Sequence, residues 1–201
     1  GRRRRSGAPW QILQQGLSVK RYPVCYAAHR IVDAALSLQP QLAQRMGDIE
    51  EVVAEIGQLQ AAMLRSDRPA SGLDAKFSAE FSIACALTRG HVNLQDLTDA
   101  AVNGPEVQQL MRKVRVLPLA ECDAQEPLFS PTDMLTVRLR DGSVLEAQPV
   151  RRALGHASLP IALVDLREKF IACALVAMDA EAAAAWWEAA MAPLAAQVRW
   201  P

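Results

Sequence analysis

The residues best suited to chemistry lie in one short segment near the start of the chain. Lys20 precedes the pair Tyr22 and Pro23, and Cys25 and His29 follow at a spacing of four residues. If Pro23 begins a helix, Cys25 and His29 share one face of it. Free amide groups at a helix start, together with a lysine ammonium and an imidazole, suit a small carboxylate ligand. Histidine can also transfer protons near neutral pH.

Other interpretations of this segment stay open from the residues alone. Lys20 could be an ordinary solvent-exposed lysine, and His29 could be an ordinary packing residue. Cys25 with His29 could also indicate a metal pair or a thiolate–imidazole dyad. Two ligands do not complete a metal site, however, and no orienting partner for a nucleophile can be named. We therefore expect no metal, and we predict that Cys25 is a small buried residue.

The composition excludes several classes of protein. The chain has 201 residues, of which 51% are hydrophobic and 22% charged, as in an ordinary globular protein. The 22 basic residues balance the 22 acidic ones, so a nucleic-acid binder is not expected. The four cysteines form no CxxC pair and no stretch suits a membrane helix, so we expect a cytoplasmic protein without a membrane partner. Because the first residue is Gly1, a fragment of a longer protein is one possibility.

The elements that must position these residues alternate irregularly along the chain. Helices are predicted over residues 23–39, 75–88, 94–101, 106–113, 161–178 and 180–197, and strands over 48–59 and 114–117. Residues 135–150 alternate in polarity around Asp141 and Gly142, which predicts a hairpin. A three-residue loop pairs Val137 with Leu145 and keeps the apolar face continuous. The pattern predicts an α+β fold, in which a small antiparallel sheet packs with helices in two layers beside terminal helices.

Several segments, taken in order, resemble motifs of the MmgE/PrpD family, the relatives of 2-methylcitrate dehydratase. Residues 20–29 are similar to its K-x-Y-P-x-C-x-x-x-H signature, and residues 9–17 resemble the lead-in to it. Residues 75–84 resemble its A-K-F-S-x-x-Y-x-x-A helix, residues 137–142 its late hairpin, and residues 155–170 its closing segment. Family members are longer than this chain, and the matches place it in their C-terminal portion.

The resemblance implies a division of the chain into three parts. Family members have a large all-helical domain and a smaller α+β domain, with the active site between the two. Residues 1–18 then correspond to a leader with a remnant of the helical domain, and residues 19–160 to the small domain. Residues 161–201 correspond to C-terminal helices that dock on the helical domain, which this chain lacks. A homodimer is expected for the full-length protein.

The resemblance also implies an activity. The family dehydrates 2-methylcitrate in propionate metabolism, decarboxylates cis-aconitate or epimerises an imino-dicarboxylate, in each case without an organic cofactor. It implies that Lys20 and His29 are catalytic, and that Lys20, Ser78 and Lys76 bind the small polycarboxylate substrate of a lyase or isomerase. Phe81 stands where the family pattern often has tyrosine, which alters or removes that group's chemistry. The chain alone is expected to be inactive, and the alternative is a degenerate domain that serves in protein–protein association.

Overall fold

The computed structural model describes residues 10–197, apart from the side chains of Gln11, Gln15 and residues 193–197. Residues 1–9, the first half of the predicted segment 1–18 and the part that holds its leader, lie outside the described residues. The helices are α1 (Gln11–Gln15), α2 (His29–Leu42), α3 (Gln58–Met63), α4 (Gly72–Ala75), α5 (Ala79–Arg89), α6 (Asp99–Val102), α7 (Pro105–Met111), α8 (Leu163–Ala174) and α9 (Ala180–Gln197). The strands are β1 (Ile49–Gly57), β2 (Val114–Leu119), β3 (Met134–Leu139) and β4 (Val144–Glu146).

The four strands form one sheet in the order β2-β1-β3-β4. The pairs β1–β3 and β3–β4 are antiparallel, whereas β1 and β2 are parallel. The predicted α+β fold is confirmed, but the sheet is mixed rather than wholly antiparallel. The reason is the long connection between β1 and β2, which runs through α3 to α7. Such a crossover returns the chain to the starting end of the sheet and makes parallel pairing possible.

One face of the sheet carries the core. Side chains alternate between the two faces of a strand, and the buried set lies under α2 and α5. The buried strand residues are Ile49, Val52, Ala54, Ile56, Leu135, Val137 and Leu139. On the opposite face, Glu51 forms ion pairs with Arg115 and Arg138, at 3.2 and 3.6 Å. The helices and the sheet therefore form two layers around a single core.

The hairpin has the predicted register. Val137 lies opposite Leu145, and the amide of Ala147 donates to the carbonyl of Leu135 at 2.9 Å. Gly142 has a φ of 84°, the left-handed geometry that glycine adopts without a steric penalty. The alternation of apolar residues was sufficient to determine this part of the fold.

The start of α2 differs from the prediction. The helix begins at His29 rather than at Pro23, after a single 3-10 turn over Tyr26–Ala28. Cys25 has extended backbone geometry, because its amide donates to the carbonyl of Lys76 at 2.7 Å. That long-range bond holds residues 22–25 out of the helix. Cys25 and His29 therefore do not share the face of one α-helix, and Cys25 is half-buried rather than buried.

The end of α2 and the start of the next long helix also differ from the prediction. Pro40 lies inside α2, and the fully buried Leu42 holds the last turn in place. The predicted helix over 75–88 is divided into α4 and α5. Ser71 caps α4, and Ser78 caps α5. The two serine caps satisfy free amides at both helix starts, which makes two helices possible where one was expected.

The C-terminal helices α8 and α9 pack mainly on each other. The rings of Phe170 and Trp187 lie 5.5 Å apart between them. Arg21 ties α8 to the rest of the molecule through an ion pair with Asp165 at 3.0 Å. None of the described helices is long and apolar enough to cross a membrane.

Candidate functional site

A cleft of about 440 Å³ lies between three segments. Its walls are residues 20–23, the turn at residues 90–94 and one side of α8. The lining residues are Lys20, Arg21, Tyr22, Pro23, Leu36, Gly90, His91, Val92, Asn93, Leu94, Asp165, Glu168, Lys169, Ala172 and Cys173. A volume of this size is typical of small-molecule sites. The first four residues of the predicted signature, residues 20–23, therefore form one wall of the cleft.

Lys20 stands exposed on this wall, and its backbone is firmly held. The Lys169 ammonium donates to the Lys20 carbonyl at 2.5 Å, and the neighbouring Val19 amide donates to the Gly155 carbonyl at 2.7 Å. A methyl group on Gly155 would clash with that segment, because the Val19 carbonyl oxygen would lie 2.2 Å away. Among the described residues, no carboxylate lies within ion-pair distance of the Lys20 ammonium. Its charge is therefore available to an anion.

Tyr22 lies at the base of the cleft. Its hydroxyl donates to Asp33 Oδ1 at 2.5 Å, and Asp33 Oδ2 accepts from the Leu154 amide at 2.7 Å. Burial raises the pKa of the Tyr22 phenol, and the neighbouring Asp33 carboxylate raises it further. Burial likewise raises the pKa of Asp33, against the opposing effect of its hydrogen bonds. This pair connects the signature segment to α2 and to the loop after the hairpin.

His29 lies directly behind Tyr22, fully buried. Its ring is between two tyrosines, with centroids 5.1 Å from Tyr22 and 4.9 Å from Tyr26. Burial lowers the pKa of His29 to about 4, and the charge of Lys20 acts in the same direction. The nearby backbone groups of Val24 and Tyr22 act in the opposite direction and raise the pKa in part. Neither ring nitrogen, however, has a partner among the described residues at the distance and angle of a hydrogen bond. The imidazole is thus neutral near pH 7 and carries two unused polar atoms.

The structure separates the other two predicted site residues from the cleft. Ser78 is fully buried, and its Oγ accepts from the Phe81 amide at 3.0 Å as the cap of α5. Lys76 takes part through its backbone carbonyl, which holds Cys25. Phe81 is fully buried in the core. Neither Lys76 nor Ser78 belongs to the described lining of the cleft.

Two polar residues of α2 were missed from the sequence. Arg30 is buried and donates to Asp133 and to Ser130 Oγ, each at 2.8 Å. Asp33 accepts from Tyr22, as described above. Both stand among apolar positions of a helix, and a charge on an apolar face is a signal of a buried partner that we did not use.

His91 is a third residue that the sequence analysis missed. It follows Gly90, the left-handed residue that ends α5, and its Nδ1 lies 3.0 Å from Asp96 Oδ2. Asn93 and Asp96 form a reciprocal capping box, which is visible in the sequence as Asn-x-x-Asp. The box fixes Asp96 and so indicates where His91 points. The Asn-x-x-Asp pattern just after His91 was therefore the sequence feature that could have identified this residue.

Within residues 10–197, no group of three or more histidine, cysteine and acidic side chains is arranged to hold a metal ion. Cys85 is buried, and burial raises the pKa of its thiol well above the ordinary value. The described cysteines are all free, and Cys25 is half-buried.

Comparisons with known proteins identify the family of this chain. Residues 22–192 match the MmgE/PrpD C-terminal domain. The chain is similar to cis-aconitate decarboxylase of Mus musculus and of Homo sapiens, with 27% identity over 168 residues in each case. The match covers 80% of this chain and 33% and 34% of those relatives, so the chain spans about one third of their length. The chain belongs to the MmgE/PrpD family, and its matched region is that family's C-terminal domain.

Proposed function

We propose that this chain is the C-terminal part of a cofactor-independent lyase or isomerase that acts on a small di- or tricarboxylate. In this proposal it contributes Lys20 and His29 to an active site completed by an all-helical domain. The names of its relatives support the substrate class, since cis-aconitate is a tricarboxylate. The observation that carries the proposal is the Lys20 ammonium, which stands on the wall of a cleft of about 440 Å³ and has no ion-pair partner among the described residues. The buried imidazole behind it likewise has no hydrogen-bond partner in the described part of the chain.

The proposed role of Lys20 follows from the charge of the reaction. Removing a proton or carbon dioxide next to a carboxylate builds negative charge on the substrate. A fixed ammonium stabilises that charge more strongly in a cleft that excludes water than in bulk solvent. Lys20 suits this task because its backbone is anchored and its charge is not neutralised by a described neighbour.

The proposed role of His29 is that of a hydrogen-bond donor or an acid–base group. Buried polar atoms in proteins are nearly always partnered, so an imidazole without partners needs an explanation. A ligand group or a rearranged backbone would supply the missing partner. Tyr22 separates the imidazole from the cleft, so the proposal requires the Tyr22 ring to move when the site is complete.

Lys76 and Ser78 belong to the proposal as positioning residues. The Lys76 carbonyl fixes Cys25, and Ser78 fixes the start of α5 directly after it. The Lys76 carbonyl thereby holds the segment that leads into His29. A substrate contact by either side chain would require the second domain to extend the cleft.

The terminal segments supply the surface for that domain. Several large apolar side chains of the terminal segments are exposed: Trp10, Ile12, Leu13, Leu17, Leu163, Val164, Leu175, Val176 and Trp186. Exposed apolar surface on this scale marks an interaction site. In the proposal, residues 161–197 dock on the helical domain, and the complete protein is a cytoplasmic homodimer.

The second candidate is a catalytically inactive domain that serves in protein–protein association. The same exposed apolar side chains favour it, as does Phe81, which places no hydroxyl where the family pattern often has one. This candidate predicts a folded chain that associates with a partner but does not bind polycarboxylates.

Isothermal titration with cis-aconitate distinguishes the two candidates. We expect the wild-type chain to bind, and the Lys20→Ala variant to bind about tenfold more weakly, equivalent to about 1.4 kcal/mol. The matched control is Arg112→Ala, which removes an exposed cation that takes part in no described ion pair and should leave the affinity unchanged. A folded wild-type chain that takes up no cis-aconitate would favour the association candidate.

A further inference from the structure

We propose that His91 is a second ligand-binding residue of the cleft, positioned by Asp96 to bind a carboxylate across from Lys20. This inference rests on the proposed function and adds a residue that the family signature does not include. His29 is buried, whereas His91 lies in the wall of the cleft itself.

The first step is the orientation of the His91 ring. Its Nδ1 lies 3.0 Å from Asp96 Oδ2 and 3.1 Å from the side-chain nitrogen of Asn93. A hydrogen bond to a charged carboxylate is about twice as strong as one between neutral groups. Nδ1 therefore carries a proton and donates to Asp96, and the Asn93 nitrogen beside it is not a hydrogen-bond partner of the ring. Nε2 then faces the ligand, and a carboxylate there is bound by the doubly protonated ring, with Nε2–H as the donor.

The second step is the rigidity of Asp96. This carboxylate is almost completely buried and accepts from Arg89 Nη1 at 2.6 Å and from the Asn93 amide at 2.7 Å. Oδ1 of Asp96 is therefore bound by Arg89, and Oδ2 is bound by the Asn93 amide in addition to His91. Because Asp96 is fixed by the end of α5 and by a capping box, its hydrogen bond with His91 also fixes the orientation of the His91 ring.

The third step is the access that His91 has to the cleft. The side chain is 53% exposed, and its Nε2 has no partner among the described residues. An exposed histidine that only ended a helix would not need a buried carboxylate to orient it. The arrangement resembles the way proteins orient a histidine that must present one nitrogen to a ligand.

The fourth step is the charge around the ligand space. The other charged side chains that line the cleft are Lys20, Arg21, Lys169, Asp165 and Glu168. Three cations against two carboxylates leave a formal charge of +1 beside His91. Arg21 and Asp165 pair with each other at 3.0 Å, and Lys169 is bound to a backbone carbonyl. Lys20 and His91 are therefore the groups best placed to bind two carboxylates of one molecule.

The test is the binding of cis-aconitate to the chain, followed by titration calorimetry and by the NMR signals of the histidine rings. The variants are His91→Gln and Lys20→Ala, with His156→Gln as the matched control outside the cleft. We expect the His91 ring signal to shift on binding and His91→Gln to weaken the affinity about fivefold, the loss of one net hydrogen bond. His156→Gln should bind as the wild type does.

The outcomes separate this inference from the proposal on which it rests. If Lys20→Ala weakens binding but His91→Gln does not, and the His91 signal stays still, the inference is overturned and the proposed function stands. If neither variant affects binding, or if the wild-type chain binds no cis-aconitate, both are overturned. Equal losses from His91→Gln and His156→Gln also contradict the inference, because they indicate non-specific attraction.

Discussion

His29 and Arg30, two neighbouring residues of α2, differ sharply in the number of hydrogen bonds that their side chains make. Both are buried, with 0% and 4% of their surface exposed. Arg30 makes four hydrogen bonds through its terminal nitrogens, to Asp133 and to oxygens of Ser130 and Arg151. His29 makes none with the described residues. A buried charge with partners holds a fold together, whereas a buried imidazole without partners is free for a ligand or a proton.

The contrast has a structural cause. Arg30 points toward the segment 130–133, which β3 brings alongside α2, and it also lies over the ring of Phe129 at 5.1 Å. His29 points the other way, into the two tyrosines of the signature segment. One side of the helix start is therefore used for stability and the other for the candidate site. Variants on the two sides of the helix start, one at the Arg30 network and others at His29 and α5, test whether stability and the candidate site are separated in this way.

Removal of the partner of Arg30 tests the structural side. In Asp133→Ala, the Arg30 guanidinium stays buried without its counter-ion, which should lower the free energy of unfolding by about 3–5 kcal/mol. Urea denaturation measures the loss. The control is Asp141→Ala, where water screens the exposed pair with Arg45 and the loss should be clearly smaller. Similar losses in both variants would show that the Arg30 network is not structural.

The pH dependence of stability tests the other side. Because burial lowers the pKa of His29 from 6.5 to about 4, the unfolded chain binds more protons than the folded chain between those two values. Stability therefore rises with pH across this window and falls as the pH is lowered from 6.5 to 4, by about 3 kcal/mol from this residue.

The matching variant is His29→Leu, measured by urea denaturation at a series of pH values. This variant should lose the part of the pH dependence that comes from His29. Its free energy of unfolding at pH 7 should be equal to or higher than that of the wild type, because the imidazole makes no hydrogen bond with the described residues. His156→Leu, at a site outside the core, should retain the wild-type dependence. Identical pH profiles for His29→Leu and wild type would contradict the buried neutral imidazole.

Phe81→Tyr tests whether the core tolerates a further polar group without a partner. Phe81 is fully buried, so the new hydroxyl would lose its water without gaining a described partner. We expect a loss of about 1–3 kcal/mol in the free energy of unfolding by thermal or urea denaturation. The control is Phe77→Tyr, because Phe77 is 43% exposed and its hydroxyl would stay hydrated. A Phe81→Tyr variant as stable as wild type would show that position 81 has a polar partner or access to a site.

Ser78→Ala gives the smallest of these effects. Loss of the Oγ that accepts from the Phe81 amide should cost about 1 kcal/mol, and Ser78→Thr, which keeps a capping hydroxyl, should cost less. Chemical denaturation measures both. If Ser78→Ala is fully stable but loses affinity for cis-aconitate, Ser78 is a ligand contact rather than a cap.

The parts of the fold that could be predicted depend on local rules. The register of Val137 and Leu145 followed from alternation, and Gly142 followed from turn geometry. The start of α2 could not be predicted in this way, because the bond from the Cys25 amide to the Lys76 carbonyl joins residues far apart in sequence. The parallel pairing of β1 with β2 likewise depends on a long crossover.

The same distinction applies to the site. Lys20 lies in an exposed loop beside a cleft, and a loop lysine can be found from the sequence without any tertiary contact. Its role in binding stays a prediction. The burial of His29 depends on Tyr22, which is fixed by Asp33 and through it by Leu154. The contact between Asp33 and Leu154 spans 121 residues of sequence and leaves no local pattern.

The central claim is that the cleft beside Lys20 binds a polycarboxylate. A crystal structure of the chain grown with saturating cis-aconitate tests it most directly. The proposal predicts density for the ligand between residues 20–23 and α8, with a carboxylate within hydrogen-bond distance of the Lys20 ammonium and another near His91. A cleft without ligand density at saturation, or a ligand bound elsewhere on the chain, would contradict it.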